Sequence, residues 1–87
     1  MQNTMELLGR ALKTNSAAYW TRRLELSQNA LYTARMREHL SPAIAGRLAE
    51  FLEENVEHWV MIAALESERD SACKTHLLKR MKDRVKR

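Results

Sequence analysis

The sequence predicts an all-α fold of five to six helices, because of its composition and its apolar periodicity. Its 87 residues include two Gly and one Pro, so residues that favour turns between short strands are scarce. Ala, Leu, Glu, Arg and Met are abundant, whereas the β-branched Val and Ile are few. Apolar residues also recur at helical spacing, as Met5, Leu8 and Leu12 do. A chain of this length makes one small domain with a thin stability margin.

The first three helices are each preceded by a residue that can cap a helix N-terminus. Asn3 or Thr4 can cap the first helix, and Ser16 the second. Ser27 is expected to cap the third, because its side-chain oxygen can accept from the free amides of the first turn. The expected helices cover residues 5–13, 17–24 and 28–38.

The C-terminal half carries the clearest helix boundary of the chain, Ser41-Pro42. Ser supplies the cap, and Pro at the first helical position has no N–H to leave unpaired. Asn55 can cap a fifth helix, and Asp70 or Ser71 can begin a sixth. The expected helices cover residues 42–53 and 56–69, with the sixth helix following.

Charge is distributed unevenly along the chain. Residues 1–40 carry six Lys or Arg and three Asp or Glu (+3), and residues 41–70 carry two and seven (−5). Residues 71–87 carry seven and one (+6), which completes the net charge of +4. A basic N-terminal half and a basic tail suit a surface that faces a polyanion. The tail is equally compatible with a solvated chain end or with an amphipathic helix on a membrane surface.

Several function classes find no support in the residues. Cys73 is the single cysteine, so we expect no intrachain disulfide and a cytoplasmic location. The start has no signal-peptide pattern, and the apolar run 59–65 is too short to cross a bilayer. Cys73 and His76 are two ligands on one helix, which is not a metal site. A Gly-rich phosphate loop and a nucleophile paired with a base are also missing, so we expect no enzyme, cofactor, metal or small-molecule substrate.

Residues 21–35 form a pattern in which a helix, a tight turn and a second helix follow each other. A small residue, Thr21, stands early in the first helix, and Leu24 ends it. The turn is Glu25-Leu26-Ser27, and Leu31 and Ala34 are the apolar positions of the second helix. This pattern resembles the helix-turn-helix of the Cro and lambda-repressor class of phage regulators. The chief departure is Glu25, where that class usually has Gly because φ is often positive.

The resemblance extends beyond the motif. Residues 39–69 look like the helical extension of such regulators, in which a Ser-Pro turn leads into a helix and a closing helix. Over about residues 5–70 the chain also resembles a family of small proteins of prophages and filamentous phages. It implies a lambda-repressor-like fold, with a helix-turn-helix DNA-binding domain at 1–70 and a basic helix or tail at 71–87. In the third helix, Leu31 and Ala34 are expected to face inward, with Met36 or Glu38 at the margin.

The resemblance implies a repressor-like transcriptional regulator whose third helix enters the major groove of double-stranded DNA. Gln or Asn can bond an adenine edge bidentately, and Arg suits guanine or a phosphate. The expected base-contacting residues are Gln28, Asn29, Tyr32 and Thr33. The expected backbone-contacting residues are Ser16, Arg22, Arg23, Ser27, Arg35 and Arg37. Each of these, taken singly, is also typical of a polar helix start or a solvated face.

A second subunit is expected, because operators read by such motifs are two-fold related. The centre of the fifth helix, WVMIAAL, is apolar on nearly every side and needs burial on two faces, in the core or against another subunit. The expected dimer interface comprises Val56, Trp59, Val60, Met61, Leu77 and Met81. Trp59 is alternatively a core residue. Trp20 and Tyr19 are expected to be core or half-buried.

The alternative function belongs to another class: a helix-turn-helix scaffold used as a protein-interaction module, as an antirepressor or an inhibitor of a host protein would be. The acidic surface of the fourth helix and the apolar fifth helix would then be the working face. Gln28 and Asn29 would have no role in binding.

Overall fold

The computed structural model describes the backbone of residues 3–85 and the side chains of residues 3–81. Over that part the chain forms six helices and no strand, which confirms the all-α prediction. The expected tail includes residues 86 and 87, which lie outside the described residues. The helices are α1 Thr4–Thr14, α2 Ala17–Arg23, α3 Ala30–Arg37, α4 Pro42–Phe51, α5 Val56–Ser67 and α6 Ala72–Val85. No helix in the described range is long and apolar enough to cross a membrane.

Five of the predicted capping residues take that role. The side chains of Asn3, Ser16, Ser41, Asn55 and Ser71 each accept a hydrogen bond from the backbone N–H three residues on, at 2.9–3.3 Å. Pro42 occupies the first turn of α4, as expected. These caps are local interactions, and each satisfies one of the amides that a helix start leaves without a partner.

The prediction that Ser27 caps the third helix is wrong. α3 begins at Ala30, and its N-cap Asn29 makes no side-chain capping bond. Gln28 and Asn29 lie instead in a turn closed by the Ala30 N–H, which donates to the Ser27 carbonyl at 3.1 Å. The first helical bond follows, from the Thr33 N–H to the Asn29 carbonyl at 2.9 Å. The connection between α2 and α3 therefore spans residues 24–29, and α3 is shorter than expected.

The helices α2, α3 and α4 are each followed, within two residues, by a glutamate in the left-handed conformation. Glu25, Glu38 and Glu53 have φ values of 54°, 62° and 57°. After Glu25, the Leu26 N–H donates back to the Thr21 carbonyl at 2.9 Å, while Glu25 N–H donates to Arg22 at 3.1 Å. This pair of bonds is the Schellman arrangement, which Gly usually terminates. The positive φ expected at Glu25 is therefore present, and α4 stops at Phe51 rather than at residue 53.

The core lies mainly where α1 packs on the hairpin of α4 and α5. Its largest fully buried side chains include Leu7, Leu48, Trp59 and Ile62. Trp59 was predicted as a dimer contact, but its side chain is only 1% exposed, so almost none of it is accessible to a second subunit. It packs within its own subunit, because the apolar centre of α5 is covered by α1 and α4.

Three polar contacts that the sequence does not indicate join distant segments. The buried Thr4 hydroxyl donates to Glu66 and accepts from the Leu40 N–H, which lies 2.8 Å away. These two hydrogen bonds connect the start of α1 to the end of α5 and to the link before α4. At the other end of the helices, the Arg10 guanidinium pairs with the Glu54 carboxylate at 2.7 Å.

Candidate nucleic-acid interface

The segment α2–turn–α3 presents its apolar side chains inward. Leu31 and Ala34 are 4% and 6% exposed, which confirms the prediction for both. Trp20 of α2 is also buried, and its indole N–H donates to the Ala11 carbonyl at 2.8 Å. Its ring packs edge-on against Phe51 of α4 with centroids 5.9 Å apart. α2 and α3 are therefore anchored to α1 and α4 by a few side chains, and most of their surface stays open.

One stripe of α3 faces outward. Asn29, Tyr32, Thr33 and Met36 follow each other at positions i, i+3, i+4 and i+7, and all four are exposed. Tyr32 and Met36 are 67% and 68% exposed. The expectation that Met36 or Glu38 lies at the inner margin is wrong, because both side chains are exposed. The helical spacing from Asn29 and Tyr32 is the sequence signal that places Met36 outside, although its apolar character suggests the core.

A groove runs between α1, α2 and α3, and four of the predicted site residues line it. Its volume is about 620 Å³, and Leu8, Leu12 and Leu31 form part of its apolar lining. The structure thus brings together residues from both helices of the predicted motif. The predicted site residues along the groove are Arg22, Gln28, Tyr32 and Arg35.

The arginines of this region have carboxylates nearby, since Arg35 lines a pocket with Glu38 and Glu66, and Arg22 lines one with Glu25. α3 contains Arg35 and Arg37 and no acidic residue between its ends. Arg22, Arg35 and Arg37 are exposed, and none forms an ion pair with another residue of the described part. Three unpaired guanidinium groups around a polar and aromatic helix face suit an anionic ligand with hydrogen-bonding edges.

Arg23 and Ser16 are placed differently from the groove residues. The Arg23 guanidinium lies over the Phe51 ring, 4.8 Å from its centroid, and so packs toward α4. Ser16 is engaged as the cap of α2, where its hydroxyl accepts from the Tyr19 N–H at 3.1 Å. Ser27 is exposed in the connection before α3.

The residues predicted for a dimer interface lie in different surroundings. Val56 and Val60 lie against Gly46 of α4, since a Cβ built on Gly46 would be 3.7 Å and 2.9 Å from their methyl carbons. Met61 and Leu77 are 47% and 51% exposed and line a groove of about 300 Å³ between α5 and α6. Met81 is half-buried against the core.

Possible metal ligands are scattered in the part of the chain that is described. There, no three His, Cys, Asp or Glu side chains are grouped as metal ligands would be. Comparison with known proteins gives no match: no family model fits the chain, and no curated protein or solved structure is significantly similar to it. The resemblance to phage regulators therefore depends on the residues of the motif and on their local geometry.

Proposed function

We propose that this protein is a sequence-specific double-stranded DNA-binding regulator of phage or prophage type, with α3 in the major groove. The observation that carries the proposal is the outward face of α3, where polar and aromatic side chains stand beside three unpaired arginines. DNA offers both complements of that face, base edges in the groove and phosphates along its rims.

The turn between α2 and α3 supports the proposal on local geometry. Glu25 adopts the left-handed conformation at the position where the resembled motif usually has Gly. Leu31 and Ala34 are buried at the apolar positions of that pattern. Six residues separate the two helices, whereas such turns typically have three or four. This longer connection is the main departure from the pattern.

The residues divide by the chemistry that they offer to DNA. Gln28 and Asn29 lie in the turn that leads into α3, and their amides can pair with an adenine edge. Arg22, Arg35 and Arg37 carry guanidinium groups, which bind phosphates without reading sequence. The proposal thus assigns specificity to the start of α3 and affinity to the arginines.

The first experiment is selection of bound sequences from a random duplex pool, with affinity then measured at two salt concentrations. We expect a recurring motif with two-fold symmetry. Changing Gln28 and Asn29 together to Ala should remove the base preference while leaving salt-dependent binding. Binding without any motif, lost as salt rises, would contradict the proposal and indicate only a basic surface.

A charge variant with a matched control separates the backbone contacts. Arg35→Gln should weaken binding to all sequences alike and reduce the salt slope by about 0.9, the value for one phosphate contact. Arg47→Gln is the control, because Arg47 already pairs with Glu50 at 3.0 Å and lies over Phe51. An equal effect of the two substitutions would mean that net charge alone matters.

The proposal includes a homodimer that contacts DNA at two half-sites about 34 Å apart, one turn of the duplex. Met61 and Leu77 are the exposed apolar residues available for it. Changing both to Asp should give a monomer in sedimentation and weaken binding to the two-fold site much more than to a half-site. A parent protein that sediments only as a 10.2 kDa species at micromolar concentration would count against the dimer.

The alternative, a protein-interaction module, is favoured by the apolar groove between α1, α2 and α3. The apolar α5 face is an unsuitable working face, because Trp59, Ile62 and Ala63 are buried in the subunit. A protein partner would instead insert apolar side chains beside Leu12, which is half-exposed. Leu12→Glu should then abolish partner binding, whereas the Gln28 and Asn29 double substitution should have no effect on it.

A further inference from the structure

The outward face of α3 carries two large apolar side chains that the rest of the subunit leaves uncovered. Tyr32 and Met36 are 67% and 68% exposed, more than Met61 at 47% or Leu77 at 51%. They are four residues apart on one helix, so they are neighbours on its surface. Single exposed apolar residues are common, but a pair in the centre of the proposed reading face suggests a ligand with apolar groups of its own.

The charges around this pair restrict the ligand. Arg35 and Arg37 flank Met36 in sequence, and α3 has no carboxylate between its ends. A complementary ligand is therefore anionic and also presents small apolar groups toward α3. Duplex DNA meets both conditions, because the thymine C5-methyl is the apolar group in its major groove.

We propose that Tyr32 and Met36 form an apolar pair that reads thymine through its C5-methyl group. This inference depends on the proposed function and adds Met36 to the residues that set specificity. Four residues of helix span about 6 Å, and two base-pair steps span about 6.8 Å, at about 3.4 Å per step. A helix lying along the groove can thus bring the two side chains to thymines two steps apart. The unbranched, flexible Met side chain can adapt to a methyl group on either strand.

The test replaces thymine by deoxyuridine, which removes only the C5-methyl and keeps the base pairing. The probe is a duplex with the sequence obtained by selection, and affinity is read by fluorescence anisotropy. Each of two thymines facing α3 should cost the parent protein about fourfold in affinity when replaced, the effect of burying one methyl-sized group. Replacement outside the region facing α3 should cost nothing.

Variants assign each methyl to a side chain. Met36→Ala should bind the thymine duplex about fourfold more weakly, and deoxyuridine at one of the two positions should then cause no further loss. Tyr32→Ala should remove the sensitivity at the other position. Met36→Leu should keep the sensitivity, since it preserves an apolar side chain. Thr75→Ala, at an exposed position of α6 outside both the reading face and the proposed dimer contact, should retain both effects.

Each contrary outcome has a distinct meaning. Deoxyuridine without effect on the parent protein, or equal sensitivity in the parent and Met36→Ala, overturns the thymine inference while leaving a sequence-specific DNA reader. Selection that returns no sequence preference overturns the proposed function, and the inference with it. Met36 is largely exposed, so its substitutions should leave the melting temperature unchanged, and lost binding is then not lost folding.

Discussion

The hairpin of α4 and α5 and the pair α2 and α3 differ in how much of each is buried. Eight of the 22 residues in α4 and α5 are buried, against three of the 15 in α2 and α3. In the hairpin, apolar side chains pack against a glycine of the neighbouring helix, so the two helices lie close together. In the other pair, Trp20, Leu31 and Ala34 provide all the buried anchoring.

This difference separates stability from binding. The hairpin with α1 supplies the hydrophobic core, while α2 and α3 expose most of the side chains that are available to a ligand. Elements with few buried contacts open at a lower free energy than the core does. We therefore expect the proposed reading helix to be the less stable part of a fold held by the hairpin.

The largest expected effect comes from removing a tryptophan from each region. Trp59→Ala should destabilise the whole fold by about 3–5 kcal/mol, a large part of the stability of a small domain. Trp20→Ala should lower the protection of amides in α2 and α3, while α4 and α5 stay protected. Native-state hydrogen exchange measures both. If Trp20→Ala exposed the hairpin amides equally, the two regions would form one cooperative unit and the contrast would fail.

A smaller effect is expected at the Thr4 hydroxyl, which bonds to Glu66 at the end of α5 and to Leu40 after α3. Thr4→Val leaves the Leu40 N–H and the Glu66 carboxylate without the hydroxyl that they share. The expected loss is about 2 kcal/mol in chemical unfolding, the typical cost of unpaired buried polar groups. Thr75→Val is the control, because Thr75 is exposed and bonds only to Ser71 of its own turn. Similar losses in both variants would show that the buried hydroxyl is not special.

The same contrast explains which features the sequence could predict. The caps at Ser16, Ser41 and Asn55 involve residues three apart, so a local pattern suffices. Ser27 failed as a cap because Ser also favours turns, and here its carbonyl accepts from Ala30. The bond between Thr4 and Glu66 joins residues 62 apart, which no local pattern indicates.

The positions of the predicted site residues follow the same distinction between local and distant contacts. Tyr32 and Arg35 line one groove because they are three residues apart in α3, and Gln28 joins them from the turn just before that helix. Met36 is apolar, which suggests the core, but its spacing from Asn29 and Tyr32 places it on the exposed face. Arg23 could not be separated from Arg22 by sequence, since its position depends on Phe51, which lies 28 residues further along the chain.

The left-handed glutamates test whether strain is shared by both regions. Glu25→Gly and Glu53→Gly should each stabilise the fold by about 1 kcal/mol. A non-glycine residue at positive φ costs roughly 1–2 kcal/mol, and Gly avoids this cost but loses more conformational entropy on folding, which offsets part of the gain. Glu50→Gly is the matched control in the right-handed last turn of α4, and it should destabilise. Thermal unfolding checks all three. A gain at Glu53 alone would mean that the turn after α2 is not strained.

The smallest expected effects on stability are at the two glycines, Gly9 in α1 and Gly46 in the hairpin. Gly9 is exposed in α1 and a Cβ there meets nothing within 4 Å, so Gly9→Ala should stabilise by about 0.5–1 kcal/mol through helix propensity. At Gly46 the new Cβ would lie 2.9 Å from a methyl of Val60, whose β-branched side chain is stiff. Gly46→Ala should therefore destabilise by about 1 kcal/mol despite the same propensity gain. In a Val60→Ala background the sign should reverse, because the obstructing methyl is gone. If Gly46→Ala stabilised the parent protein as Gly9→Ala does, the hairpin would be loosely packed, and its proposed role as the rigid support of α2 and α3 would have to be abandoned.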